Sequence, residues 1–197
     1  MATPIERLVV DPVTSVFEWA ESLYHAVLWR WKQPPEGRID LQYPLNTELR
    51  IAVFGFSVRP QPGVRNFAAT ELKELENFQP QALAAPLLEL RRIGAARRSG
   101  EVMLKNLTHP LLVFSTPETG LLREEDREDL WNLFELPVYE QLRTGGGELI
   151  AQSCEAQEGL HLEPGTGAPQ GLEWKLADNS CACGRGRLLS RAATAGD

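Results

Sequence analysis

The sequence predicts an α/β fold, with helices on a sheet followed by a small β-hairpin subdomain, and three observations predict it. Segments of helical spacing alternate with short apolar runs up to about Leu142, the pattern of a layered α/β unit. Beyond that point the chain turns into short extended runs separated by Gly-rich turns, which read as β-hairpins. The composition, 43% hydrophobic and 24% charged over 197 residues, suits a globular chain. A chain of this size hides roughly 70% of the surface it would expose unfolded.

The elements follow in order. Val13, Phe17, Ala20, Tyr24, Val27 and Trp31 recur at helical spacing, with Glu18, Glu21, Ser22, His25 and Lys32 as a narrow polar stripe. Trp29 interrupts that stripe; it either lies along a loop or meets a partner. Pro34, Pro35 and Gly37 end the helix. Leu49 to Ser57 (LRIAVFGFS) reads as a buried strand and RPQPGVRN as a loop. A helix follows near Phe67 to Phe78, with Ala68, Leu72 and Leu75 on one face. The extended piece PQALAA leads to a second helix whose first turn takes Pro86, where the missing N–H costs nothing. Arg91, Arg92, Arg97 and Arg98 read as a solvated helix end.

Leu111 to Ser115 is the next strand, and His109 before it a loop residue. Glu124 to Glu135 is a charged helix packing through Leu130, Trp131 and Phe134. Its acidic start suits the helix dipole. Gly145 to Gly147 reads as a β-turn. PVYEQ, GELIAQSCE, GLHL and GLEWKLA are the extended runs, and the small, polar tail after Arg191 frays.

Charge and composition narrow the function. A net charge of −7 argues against a nonspecific nucleic-acid binder, which shows a basic face. No apolar run reaches the roughly 18 residues of a membrane span, and MATPIERLVVDP lacks the basic and apolar regions of a secretory signal. A cytoplasmic location with reduced thiols is expected, where clustered cysteines point to metal or catalysis more than to a disulfide.

All three cysteines lie near the C-terminal end, with one of three histidines: Cys154 and His161 in SCEAQEGLHL, Cys181 and Cys183 in CACGRGR. Three thiolates and an imidazole are the donor set of a closed, four-coordinate structural zinc site. Gly159 and Gly184 lie where tight turns around a metal would need them. The spacing is not that of a standard zinc finger. Three unrelated thiols with a stray histidine, a redox pair at Cys181 and Cys183, and a catalytic zinc are the competing readings. Four protein ligands leave the last no position for water.

These residues also carry a resemblance. SCEAQEGLHL resembles the Glu-Cys-Glu-x-x-x-Gly-Leu-His segment of the phenylacetate–coenzyme A ligases, within the adenylate-forming ligase superfamily, and CACGRGR is similar to their Cys-x-Cys-Gly-Arg segment. In zinc-bearing members these two segments hold the metal, which implies Zn2+ on Cys154, His161, Cys181 and Cys183. LLREEDREDLWNLFELPVYEQ and ELENFQPQALAAPLLELRRI resemble segments upstream of the family's nucleotide motif. The resemblance runs from about Leu72 to Leu188.

The departures bear on activity. No Ser/Thr/Gly-rich phosphate loop with a lysine lies upstream, and GTGAPQG carries Gln170 where a lysine would be wanted. The Tyr-Gly-x-(Ser/Thr)-Glu motif is reduced to Leu142, Arg143, Thr144, Gly145 and Gly146. The adenine loop is represented by Thr116, Pro117 and Glu118. The ribose motif and the catalytic-lysine domain have no counterpart. These losses remove phosphate positioning and charge stabilisation, so no catalytic residue is assigned.

The expectation is a partial adenylate-forming-ligase-like core with a zinc-bearing β-hairpin subdomain. It divides into residues 1–45 (N-terminal helix and loop), 46–150 (α/β core), 151–190 (zinc-bearing β-subdomain) and 191–197 (flexible tail). A structural Zn2+ is expected, with a homo-oligomer or protein partner and neither nucleic acid nor membrane. The expected role is a non-catalytic binding or assembly protein. The alternative is a nucleotide or acyl-adenylate binder, using Thr116, Glu118 and Thr144, that completes a ligase site with another chain.

Overall fold

The computed structural model describes residues 39–42, 48–167, 174–177, 181–185 and 188–191. The chain divides into two compact units, 1–35 and 36–197, and the described residues belong to the second. The expected N-terminal helix and the tail after Arg191 lie outside the described residues.

Among the described residues, nine strands form one mixed sheet in the order β2-β1-β3-β4-β5-β6-β7-β9-β8. In chain order these are β1 (Ile51–Val53), β2 (Val64–Asn66), β3 (Ala82–Pro86), β4 (Leu111–Ser115), β5 (Val138–Arg143), β6 (Leu149–Ser153), β7 (Leu160–Leu162), β8 (Trp174–Ala177) and β9 (Leu188–Arg191). Three helices intervene: α1 (Leu72–Phe78), α2 (Leu87–Ser99) and α3 (Glu124–Phe134). From β2 to β5 neighbours are parallel; from β5 to β8 they are antiparallel. The protein is thus α/β, and the expected change of pattern near Leu142 marks the switch from parallel to antiparallel pairing.

Both faces of the parallel part are covered, which is why ALAAP and LLVFS read as continuous apolar runs. Ala52, Leu83, Ala85, Leu111, Val113 and Val138 face the helices, meeting Leu75, Leu90, Ile93, Leu130 and Phe134. Val53, Ala82, Ala84, Leu112, Phe114 and Tyr139 face the other way and pack with Ile39, Leu41, Phe56 and Val58. The chain travels outward from β1 to β2, then back through β3, β4 and β5. A constant crossover hand places connections for opposite directions of travel on opposite faces. The β1–β2 connection accordingly carries Phe56 and Val58 to the face away from the helices.

Several expectations change here. The strand expected over Leu49 to Ser57 is only Ile51–Val53; Gly55, at φ 83°, turns the chain away. The expected loop RPQPGVRN contains β2, paired to β1. The first of these helices begins at Leu72, not Phe67, because the Glu71 carboxylate takes the Ala68 N–H in a preceding turn (2.7 Å). Pro86 ends β3 and caps α2, one position before the expected first turn. Gln79 and Glu135 end α1 and α3 in the left-handed conformation.

The arginines of α2 are not a merely solvated end. Arg97 and Arg98 donate to the Leu133 and Asn132 carbonyls (3.0 and 2.8 Å), satisfying orphan acceptors at the end of α3. Arg91 reaches Asp126 and Asp129 at 2.9 and 2.6 Å. Gly94 allows the helices to close together: a Cβ there would lie 2.9 Å from Leu133 Cβ. Gly94→Ala is expected to cost about 1–3 kcal/mol through overpacking, read as a lower urea midpoint at constant slope.

Glu140 on β5 is a buried carboxylate beneath α3. It accepts from Ser115 Oγ (2.6 Å), the Leu122 N–H (2.9 Å) and Arg127 (3.1 Å). Burial outweighs these donors and holds its pKa above the ordinary 4.5. A carboxyl raised on folding binds its proton more tightly folded than unfolded. Its contribution is therefore fully present below the unfolded value and is lost as pH rises through the folded one. The stability of the wild type minus that of Glu140→Gln is expected to fall over that window and then level off. A difference flat with pH in parallel urea titrations would contradict the assignment.

Candidate metal centre

The centre is built where the antiparallel strands end. β6 runs to Ser153, and Cys154 follows at its end. Gln157 returns its N–H to the Cys154 carbonyl at 3.0 Å, closing a turn with Gln157 at φ 53°. The chain then re-enters the sheet as β7, where His161 stands opposite Gln152. Cys181 to Arg185 form a second tight turn: the Gly184 N–H donates to the Cys181 carbonyl at 2.8 Å. Gly184 sits at φ 78°, a conformation that favours glycine. The two turns are joined by the Ala182 N–H, which donates to Glu158 Oε2 at 3.2 Å.

These turns bring Cys154, His161, Cys181 and Cys183 together, one donor atom each, all within 4.8 Å of one another. Cys154 Sγ lies 3.5 Å from Cys181 Sγ. His161 Nε2 is 3.3 Å from both Cys154 Sγ and Cys183 Sγ. A tetrahedral ion with sulfurs at about 2.3 Å would set neighbouring sulfurs about 3.8 Å apart, so the donors stand near a tetrahedron's edge lengths. A sulfur separation of 3.5 Å is far beyond the roughly 2.05 Å of a disulfide, and the three cysteines are free thiols.

Cys154, Cys181 and His161 are buried; Cys183 is partly exposed. The Arg185 N–H donates to Cys183 Sγ at 3.5 Å. That bond, foremost, holds the Cys183 thiol below its usual range. At Cys181 the Cys183 N–H lowers the thiol, but burial and the adjoining Cys154, Cys183 and Glu158 groups push it up to about 12. Thiolates this close repel, so the cluster holds either protons or a cation. The donor set, its distances and its supporting N–H groups fit a four-coordinate cation.

The other expected site residues fall elsewhere. Thr116 and Thr144 follow the C-terminal ends of parallel neighbours β4 and β5, so topology brings them to one end of the sheet. Their polar groups are used locally. Thr116 pairs with Thr119 in a turn that also contains Glu118, and Thr144 Oγ1 accepts the Glu148 N–H at 3.1 Å.

Three features escaped the sequence reading. Glu158, which links the two turns, carries no local signal that sets it apart from other acids. Arg143 is fully buried on β5; a lone charge in a strand reads as solvent-facing. The strand β9 was not expected, because LLSR offers only two apolar residues. Trp131, expected to pack, is 54% exposed: Leu130 and Phe134, one turn apart, set the buried face, and position 131 falls outside it.

No family model matches this chain, and no curated protein matches it. Among solved structures it is similar to an open conformation of 2-hydroxyisobutyryl-CoA ligase in complex with 2-HIB-AMP and CoA. That match has a TM-score of 0.49 and 11% identity, covering 72% of this chain and 43% of that one. It is also similar to coronafacic acid ligase from Pectobacterium brasiliense, with a TM-score of 0.41 and 11% identity over 71% of this chain and 30% of that one. The chain spans less than half the length of either structure. Among the described residues, no helix is long and apolar enough to cross a membrane.

Proposed function

We propose that this chain is a zinc-stabilised binding or assembly protein, a non-catalytic relative of the phenylacetate–coenzyme A ligases, with Cys154, His161, Cys181 and Cys183 holding one structural Zn2+. The convergence of four protein donors, all within 4.8 Å, carries this reading. Four such ligands complete the coordination of zinc and leave no position for a reacting water. Bound there, the ion would supply cross-linking and charge neutralisation. The chain's own part is to hold the donors: the Cys154 and Cys181 turns, the Glu158 link, and N–H groups aimed at sulfur.

A binding role is supported by Trp131, a large apolar side chain 54% exposed on a groove along α3. Metal content per chain tests the reading, on protein prepared without added zinc or metal-affinity resin. About one zinc per chain, lost in Cys154→Ala, is expected. A stably folded chain without metal would overturn it.

A second reading is a nucleotide or acyl-adenylate binder that completes a ligase site with another chain. The placement of Thr116 and Thr144 at the C-terminal ends of adjacent parallel strands favours it, since ligands of open α/β sheets bind outside such ends. Calorimetry with ATP and magnesium, together with pyrophosphate exchange, separates the two: neither heat nor exchange is expected from the binding protein.

A further inference from the structure

We infer that the groove along α3 beside the Cys154 turn is a docking site for a basic protein segment, one that places a lysine or arginine on Trp131. The groove runs between α3, the start of β5 and the turn after Cys154, with Trp131, Val138 and Gln157 among its walls. Glu124, Glu128 and Trp131 stand at i, i+4 and i+7 on α3 and so form one stripe along it. All three are exposed, and Trp131 is one of the large apolar side chains the fold leaves in solvent.

The exposed carboxylates of this groove are not engaged in ion pairs. Asp126 and Asp129, on another side of α3, are paired to Arg91. Arg127 is the cation within the groove, and it turns to the sheet, donating to the Val138 carbonyl (3.2 Å) and Glu140 (3.1 Å). Among the described residues, neither Glu124 nor Glu128 forms an ion pair. An indole that continues a line of two carboxylates without ion-pair partners is an arrangement that attracts cationic side chains. The walls include Pro137 and Val138, so apolar parts of the same segment have a surface to cover. Carboxylates one helical turn apart, about 6 Å, match cations on alternate residues of an extended segment, about 6.8 Å apart. This rests on the binding role proposed above and names its partner chemistry; apart from Gln157, the walls lie on α3 and around the start of β5, away from the metal donors. A failed titration would leave the metal reading intact, and absence of metal would leave the groove.

The test uses the full chain and the peptide acetyl-Gly-Lys-Val-Lys-Val-Lys-Gly-amide. Contact with the site is read from the indole N–H resonance of Trp131, assigned by its loss in Trp131→Phe, and affinity is measured by calorimetry in the wild type and in every variant. Saturable binding is expected. It should weaken about tenfold in Trp131→Ala and about threefold in Glu128→Gln, and vanish when the lysines are acetylated. Both side chains are exposed, so unchanged melting curves are expected to show that the fold is intact. Three results would overturn the proposal: an unmoved resonance at about 2 mM peptide, equal binding of the acetylated peptide, or unchanged affinity in both variants. The last would reduce binding to diffuse attraction by net charge.

Discussion

Cys154→Ala, or exhaustive chelation of the wild type, is expected to loosen the antiparallel end of the sheet before the parallel part. Structural zinc contributes about 10–16 kcal/mol of apparent binding free energy in small zinc-finger peptides, comparable to the whole stability of a typical domain. Here the effect should be uneven. Strands β1 to β5 share two apolar clusters of their own. The β6–β9 end has a smaller one, built on Leu142, Ile150, Ala151, Leu160, Leu162 and Leu189. Amide protection in β6, β7 and β9 should fall with the metal, while that in β3 and β4 persists. The loss in total stability is expected to reach at least about 3 kcal/mol. Identical exchange patterns with and without chelator would count against a structural metal.

The second large effect is expected at Arg143. Its guanidinium is buried and donates to neutral acceptors: the Gly147 carbonyl at 2.7 Å, Gln141 Oε1 at 2.7 Å and the Asp40 carbonyl at 3.3 Å. It also lies over the Phe114 ring, 5.6 Å from its centroid. Burial, only partly offset by the charges of Asp40 and Glu163, pulls its pKa down to about 10. The side chain joins the strand end, the β5–β6 turn and the segment at Asp40. Arg143→Ala would orphan those acceptors and open a cavity, so a loss of about 3–5 kcal/mol is expected. Arg143→Met should recover roughly half by filling the space without restoring the hydrogen bonds. Arg143→Lys should not do better than Met, because an ammonium cannot fork between Gly147 and Gln141. Urea unfolding of the three variants checks the order; equal losses in Ala and Met would show that the hydrogen bonds alone matter.

Gly147 sharpens the same point. It stands at φ 90°, and a Cβ there would lie 2.3 Å from Ile39 Cγ2. Gly147→Ala is therefore strained in its backbone and clashes with the segment that Arg143 holds. A loss of about 2–4 kcal/mol is expected by the same urea assay.

What was legible in the sequence follows from where the information is local. LLVFS and PQALAA announced their strands because burial on both faces leaves an uninterrupted apolar run. The acidic start of α3 announced a helix end, since the dipole and the Asp126 cap act within one turn. The donor cluster was legible because thiols and imidazole are rare enough that four in two short segments demand a common cause. Pairing partners were not legible: β2 is three residues between turns, and its identity rests on lying beside β1. Nor was the inward turn of Arg143 and Glu140 within β5, since a charged residue carries no mark of the partners that will receive it. The role of Arg97 and Arg98 was hidden likewise, because the carbonyls they satisfy belong to a helix 36 and 34 residues onward, respectively.

The order of the donors along the chain has a consequence for synthesis. Cys154 and His161 leave the ribosome first, and the set stays incomplete until Cys183 follows. By then every strand through β8 has been made, including all the parallel ones. Domains generally fold as they emerge. Capture of a metal there would thus come after all the parallel strands have been made, while β8 still lacks β9, its neighbour in the sheet. A chain halted before Cys181 would carry two donors and no means of closing around an ion.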